Sequence, residues 1–300
     1  MRKIITLTCF FILFLTFFRS NSGFALEESR YTISDNFQIL PYESIFKQLM
    51  ADPASPRMGA GYTNYTSATL SMRNALDFSI GGIIPLVRIN IGDIKVEAGA
   101  MGLGLLGFDL DRLTDEVYSD FYLGMPIFVQ LTDKFMFMIR CYHRSSHIGD
   151  ETIMNRSESE VILDPDDPAN SSSRINWIVE RINLSYILFD TLLFYQINSI
   201  FRIYGGGGWV SDPDPYRYGA SVYQIGAEAN CLFSESIGAS FFSAVDLKGT
   251  SMIAPGVSVK TGVKFFDKIA FLFNFYDGYG PAQFFDQRIT SYGVAFDILM

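Results

Sequence analysis

The sequence predicts an all-β fold, a transmembrane antiparallel β-barrel of about twelve strands, with ten strands as the alternative count. Three observations support this prediction. Aromatic residues and glycine are abundant, with 28 Phe, 16 Tyr and 25 Gly among 300 residues, as in membrane barrels and large all-β domains. Apolar and polar residues alternate with a period of two from about residue 60 onward. The connections between the alternating segments are short and long in turn.

The alternation is clearest in residues 121–131, 257–265 and 292–300. Successive side chains of a strand point to opposite faces, so each segment has one apolar face and one polar or small face. A strand protein in lipid must pair every backbone group, which requires a closed barrel. A soluble β-sandwich would show the same alternation, but the aromatic content, a last strand that runs to the final residue and the pattern of connections favour the membrane.

The connections predict the strand count and the orientation. Tight connections lie near residues 91–94, 132–134 and 266–268, and longer ones near 111–119, 148–175, 211–216 and 277–284. Outer-membrane barrels have short periplasmic turns and longer outer loops. Ten strands fit between residues 95 and 300 with this alternation. Residues 60–90 would supply two more, which gives twelve.

Residues 1–25 have the pattern of a secretory signal peptide. The basic MRK precedes the apolar run IITLTCFFILFLTFF, and the small residues Gly23 and Ala25 predict cleavage after Ala25. Export is therefore expected. Cys141 and Cys231 remain after cleavage, and their spacing does not suggest a disulfide framework, so we treat both as small apolar residues.

Residues 26–58 are predicted to form an N-terminal extension and residues 59–300 the outer-membrane barrel. The extension is polar and would lie in the periplasm or inside the barrel as a plug. Within it, Pro41 precedes and two later prolines follow a segment from Tyr42 to Leu49 that could form a short helix.

The charge of the chain restricts its partners. Loss of Arg2, Lys3 and Arg19 with the signal would leave 20 basic residues against 32 acidic ones, a net charge of −12. Such acidity argues against a nucleic-acid partner. The expected partners are outer-membrane lipids and, during insertion, the barrel-assembly machinery. The expected location is the outer membrane of a Gram-negative-type bacterium, after cleavage of the signal.

The chain has only two histidines, His143 and His147, and both lie in the stretch CYHRSSHIGDE at residues 141–151. The alternation assigns one face of this strand to lipid, and that face comprises Phe135, Phe137, Ile139, Cys141, His143, Ser145 and His147. Arg140 and Arg144 would then face the lumen. The strand follows a short turn and runs outward, so the histidines would lie near the outer rim.

A Ser and a His two positions apart on a strand point the same way and lie close together. His143 could therefore take the proton of Ser145 and make its hydroxyl a nucleophile. A third group normally orients the imidazole. Glu180 is the candidate, on a face that it would share with Leu184, and Asp150 and Glu151 are alternatives.

Two other interpretations remain open for these residues. Histidines at the outer rim can simply lie at the lipid headgroup interface, as aromatic residues do. Nitrogen and oxygen ligands for a divalent metal are also present at close spacing, in His143, His147, Asp150 and Glu151. No cofactor is otherwise predicted.

Several segments of the chain are similar to a family of outer-membrane β-barrels known as domain of unknown function 1207. The similar segments are LMADPASPRMG, YHRSSHIGDE, RINLSY, FRIYGGGGW, AVDLK and FYDGYGPAQFF, which span nearly the whole chain after the signal. The resemblance implies an outer-membrane barrel and no particular activity. A looser resemblance concerns the His-x-Ser pair alone, which outer-membrane phospholipase A and lipid A deacylase barrels also have on a lipid-facing strand. It implies His143 as base and Ser145 as nucleophile, although the phospholipase pattern continues with Asn-Gly and this chain with Ser-His.

The sequence thus leaves two classes of function. The first is a lipid acyl-ester hydrolase in the outer leaflet. The second is a non-catalytic barrel, which would act as a pore, a binding protein or a structural protein. Its lumen would contain the charged residues Arg140, Arg144, Arg202, Glu228, Asp246, Lys248, Lys260 and Lys264, which could also close the barrel with salt bridges.

Overall fold

The computed structural model describes residues 31–34, 36–66, 73–112, 115–149, 184–214, 218–280 and 288–299. Within these ranges the regular structure is β-strand. The first four strands are β1 (Tyr31–Ser34), β2 (Phe37–Ile39), β3 (Met58–Tyr65) and β4 (Asn74–Ile91). Five follow, β5 (Ile94–Asp109), β6 (Asp115–Gln130), β7 (Phe135–Ile148), β8 (Ser185–Gln196) and β9 (Phe201–Asp214). The last five are β10 (Ser221–Ser234), β11 (Ala239–Thr250), β12 (Gly256–Phe265), β13 (Ile269–Tyr279) and β14 (Arg288–Ile298).

Strands β3 to β14 form a closed barrel of twelve antiparallel strands, as predicted. Each pairs with its neighbours in the chain, and β14 pairs with β3 to close the sheet, for example at Val294 opposite Tyr62. Strand β4 is long enough to pair with β3 over its first part and with β2 over its last part, where Phe37 lies opposite Ile89. The hairpin β1–β2 therefore extends the sheet below the start of β3.

The two ends of the barrel differ as the connections predict. At one end, the short-turn end, β4 to β13 are joined in pairs by turns such as Gly92–Asp93 and Phe266–Lys268. At the opposite end, the long-connection end, β7 ends at Ile148 and β8 begins at Ser185. Most of the predicted outer loop, residues 148–175, lies outside the described residues, as does the predicted signal peptide, residues 1–25. No helix in the described ranges is long and apolar enough to cross a membrane.

The outer surface of the barrel is an apolar belt, and the charged residues point inward. Exposed apolar side chains occur on strands all round the barrel and include Ile80, Ile84, Leu123, Met125, Ile139, Trp209, Ile225, Phe241, Phe271 and Val294. Buried charged side chains on the same strands include Glu97, Asp120, Arg140, Asp190, Asp246, Lys260 and Asp297. Such a distribution suits a wall that faces lipid outside and polar groups inside. The predicted faces of β6, β7, β12 and β14 are confirmed.

The apolar belt predicts that a charged side chain on the outer surface destabilises the barrel most near the middle of the membrane. Leu123, in the middle of β6, is 72% exposed, and we expect Leu123→Arg to destabilise the inserted barrel by about 2–4 kcal/mol. The matched control is Asp133→Arg in the exposed turn between β6 and β7, where we expect about 0–1 kcal/mol. Urea titration of the barrel refolded into lipid vesicles measures both. Equal losses at the two sites would show that the belt does not face lipid.

Residues 41–57, here called the plug, fill the short-turn half of the lumen. Phe46 and Leu49 are buried against luminal side chains of the wall, and the Phe46 ring stacks on Phe128 with centroids 4.6 Å apart. The backbone amide of Met50 donates to the Glu228 carboxylate at 2.7 Å. Of the two locations expected for the extension, the periplasm and the barrel lumen, these residues occupy the lumen.

The predicted helix from Tyr42 to Leu49 is wrong, because this segment has no regular structure. Its backbone groups bind side chains of the wall instead of one another. The amide of Ile45 donates to Glu97 at 3.3 Å, and the guanidinium of Arg202 donates to the carbonyls of Lys47 and Gln48 at 3.1 and 3.3 Å. Because buried backbone groups need partners, these contacts replace the hydrogen bonds of a helix.

Candidate functional site

The candidate site lies on the outward face of β7, near the long-connection end. His143 and His147 are exposed and Ser145 is half-buried, whereas the intervening Arg144 and Ser146 are buried in the lumen. The antiparallel register places Phe121 and Ser185 on either side of Ser145. Strand pairing thus holds the three polar residues in one row on the lipid-facing surface, as the alternation predicts.

The structure brings Ser145 to His147, and not to the predicted partner His143. The Ser145 Oγ lies 3.4 Å from the His147 Nε2, which is a long hydrogen bond. The ring of Phe121 packs beside the His147 imidazole, with centroids 6.3 Å apart and tilted by 54°. His143 lies in the row on the other side of Ser145, between Leu123 and Ile187 of the neighbouring strands.

The three candidates for the group that orients the imidazole, Glu180, Asp150 and Glu151, lie outside the described residues. Leu184, which was expected to share the lipid-facing surface with Glu180, is buried in the lumen and packs with Tyr142 and Tyr186. The expectation for Leu184 is wrong because the position of the turn between β8 and β9 could not be determined from the sequence. That turn lies at residues 197–200. No group of three or more His, Cys, Asp or Glu side chains that could hold a metal occurs within the described ranges.

Two buried arginines of β7 form ion pairs on the luminal side. Arg140 donates to both oxygens of Asp190 on β8, at 2.9 and 2.6 Å, and to Asp52 of the plug at 3.1 Å. Arg144 donates to Asp120 on β6 at 2.6 Å. The strand that presents the Ser–His row outward is therefore held inward by charge-assisted hydrogen bonds to both neighbouring strands.

The plug takes part in this network through Asp52, which is fully buried. Burial by itself raises the pKa of Asp52, but the positive charges of Lys248 and Arg140 outweigh it and hold that pKa below its ordinary value. Asp52 thus remains ionised and links the plug to β7 and β11.

The luminal charged residues lie inside as predicted, and several form ion pairs, namely Arg140, Arg144, Arg202, Lys248, Lys260 and Lys264. Their partners Asp52, Asp120 and Asp190 were not predicted. The inward parity of Asp120 and Asp190 on strands adjacent to β7 was the signal that could have identified them. Cys141 and Cys231 are exposed and unbridged.

The fold is similar to that of solved outer-membrane enzymes. The Salmonella typhi outer membrane phospholipase (OMPLA), solved as a dimer with bound calcium, is 14% identical, with a TM-score of 0.56 over 82% of this chain and 93% of that one. Outer membrane phospholipase A from Escherichia coli is 12% identical, with a TM-score of 0.55 over 81% and 96%. These identities establish likeness of fold alone.

In sequence, a comparison with curated proteins found no match. The model of a family described as Protein of unknown function (DUF1207) matches residues 28–298. The match includes the plug, all twelve barrel strands and the stretch with both histidines.

Proposed function

The chain belongs to the DUF1207 family, and for this member we propose an acyl-ester hydrolase that cleaves membrane lipids at the outer rim of an outer-membrane barrel. One observation supports this most directly: a serine hydroxyl and an imidazole nitrogen lie within hydrogen-bond reach of each other on the lipid-facing surface. A purely structural rim needs no such pair. The location in the outer membrane rests on the apolar belt and on the shared fold.

The chemistry requires a nucleophile and a base. The Ser145 hydroxyl attacks the ester carbonyl as an imidazole takes its proton, and the same imidazole then protonates the departing alcohol. Water releases the acyl group from Ser145 in a second cycle. The 3.4 Å contact is long, but such hydrogen bonds often tighten only when substrate binds.

Two histidines compete for the role of base. The contact in the structure favours His147, and the i, i+2 pattern HRS favours His143. Both point to the same side of the strand as Ser145, so the conformation of the serine side chain determines which histidine its hydroxyl contacts. We propose His147 as the base and His143 as a residue that contacts the lipid headgroup.

The two histidine variants test this assignment. His147→Ala should lower the rate of fatty-acid release by roughly three powers of ten, and His143→Ala by less than about tenfold. Purified protein refolded into vesicles is assayed with phosphatidylethanolamine and with lipid A as substrates. The reverse order of effects would restore His143 as the base. Wild-type protein that releases no fatty acid from either lipid would contradict the proposed function.

A divalent metal ion beside the Ser–His row is a further part of this proposal. Calcium is bound in the Salmonella typhi phospholipase, and Asp150 and Glu151 were predicted as possible ligands beside His143 and His147. Fatty-acid release measured with added calcium and with a chelator decides whether a metal contributes. Asp150→Asn and Glu151→Gln are the variants to compare.

The alternative is a non-catalytic barrel. Among its forms, an open pore is disfavoured because the plug crosses the lumen and ion pairs join it to β7 and β11. Conductance in planar bilayers distinguishes an open pore from a plugged barrel. We expect no stable channels from the wild-type protein.

A further inference from the structure

A second site lies inside the barrel, separate from Ser145. A cavity of about 290 Å³ occupies the lumen beside the plug, whose residues Pro53, Ala54 and Arg57 line one side. Small residues of β3, β12 and β14 leave the space open, and they include Gly61, Thr63, Ser258 and Ser291. Tyrosines also line the cavity, namely Tyr65, Tyr118, Tyr122, Tyr142, Tyr186 and Tyr218. The volume is close to the lower end of the range for small-molecule sites.

Five buried polar atoms around this cavity have no hydrogen-bond partner within the described part of the chain. They are the Tyr142 hydroxyl, the Arg144 Nε, the Asp246 Oδ1, the Lys248 Nζ and the Asn274 Oδ1. Tyr142 and Asp246 are each only 1% exposed. A buried polar group without a partner costs about 1–3 kcal/mol. Several of them around one cavity indicate that something polar occupies it.

The unpartnered atoms include hydrogen-bond donors and hydrogen-bond acceptors, which restricts the chemistry of the molecule that could fill the cavity. Arg144 and Lys248 offer N–H donors, Asp246 and Asn274 offer acceptor oxygens, and Tyr142 can do either. An inorganic anion would satisfy the donors and leave the acceptors unpaired, and a cation would do the reverse. A hydroxyl group donates and accepts at once, so a molecule with several hydroxyls can satisfy both kinds.

The charges of the wall are already balanced, which argues against an ionic ligand. Arg144 is paired with Asp120 at 2.6 Å, and Lys260 lies 3.8 Å from Asp297. Lys248 lies 3.8 Å from Asp52, too far for a hydrogen bond, so its ammonium can still donate to a ligand. The site thus has strong hydrogen-bonding groups and little net charge.

The tyrosines that line the cavity supply flat apolar surfaces. The rings of Tyr186 and Tyr218 stack with centroids 4.6 Å apart, and those of Tyr122 and Tyr142 lie 5.8 Å apart. Aromatic rings pack well against the C–H faces of a ring-shaped ligand while their hydroxyls bind its polar edge. We propose that this cavity binds a neutral sugar of one or two rings. The binding requires no ester cleavage and does not depend on the proposed hydrolase activity.

Isothermal titration of the refolded barrel tests the proposal. The probes are glucose, galactose, N-acetylglucosamine and sucrose, with inorganic phosphate and glycine as ionic comparisons, in a detergent without a sugar headgroup. We expect at least one sugar to bind with a dissociation constant of about 1 mM or lower, and phosphate and glycine not to bind.

Three variants locate the binding. Tyr142→Phe removes one unpartnered hydroxyl and should weaken binding about tenfold. Ser291→Leu fills part of the cavity and should abolish binding. The matched control Tyr292→Phe alters an outward-facing tyrosine that is 45% exposed and should bind like the wild type. Absence of binding by all four sugars would overturn the proposal and leave water as the occupant. Binding of phosphate or glycine alone, or equal sugar affinity in Tyr142→Phe, would also overturn it.

Discussion

Replacement of Ser145 by alanine is expected to lower the rate of fatty-acid release by at least three powers of ten. The hydroxyl is the only group that the proposed mechanism uses as a nucleophile, and its oxygen lies 3.4 Å from the His147 Nε2. Alanine removes the oxygen and leaves the strand pairing of β7 intact. The measurement is the initial rate on phosphatidylethanolamine vesicles, with folding checked by the heat-dependent shift of barrels on gels.

The neighbouring serine provides the control. Ser146 has the same side chain one position along, but it is fully buried in the lumen, on the opposite face of the strand. Ser146→Ala should therefore retain activity within about a factor of three of the wild type. Equal loss in both variants would indicate damage to β7 and would argue against Ser145 as the nucleophile. Full activity in Ser145→Ala would exclude it outright.

Strand facing could be predicted from the sequence because it depends on a period of two and on little else. Once lipid faces one side, the parity of Phe121 or Val294 settles its direction without knowledge of its partners. For Leu184 the prediction from parity was wrong. Its direction depends on where the turn between β8 and β9 begins, and from the sequence that turn could lie at Asp190 or nearer Asn198.

The contacts of the plug and the contact between Ser145 and His147 could not be predicted, each for its own physical reason. The plug has no local repeat, because its backbone binds Glu97 and Glu228, which are distant in sequence. In the site, His143 and His147 are equivalent by parity, and only the side-chain conformation brings the second to Ser145. Neither a rotamer nor a contact between distant residues leaves a periodic signal.

The buried ion pairs of β7 predict a second large effect, on stability. Arg140 is 3% exposed and binds both Asp190 and Asp52. Arg140→Met removes the cation and leaves Asp190 buried without its ion-pair partner, while Asp52 retains only Lys248 at 3.8 Å. We expect a loss of about 3–5 kcal/mol in the free energy of unfolding, measured by urea titration of the refolded barrel.

A surface ion pair of similar length provides the comparison for this loss. Arg288 and Asp277 approach to 2.5 Å, but their side chains are 50% and 33% exposed, so Arg288→Met should cost less than about 1 kcal/mol. The double variant Arg140→Met with Asp190→Leu should recover part of the loss, because it removes the stranded charge together with its partner. A loss in Arg140→Met no larger than in Arg288→Met would show that the luminal network does not stabilise β7. In that case the Ser–His row would have to be held by strand pairing alone.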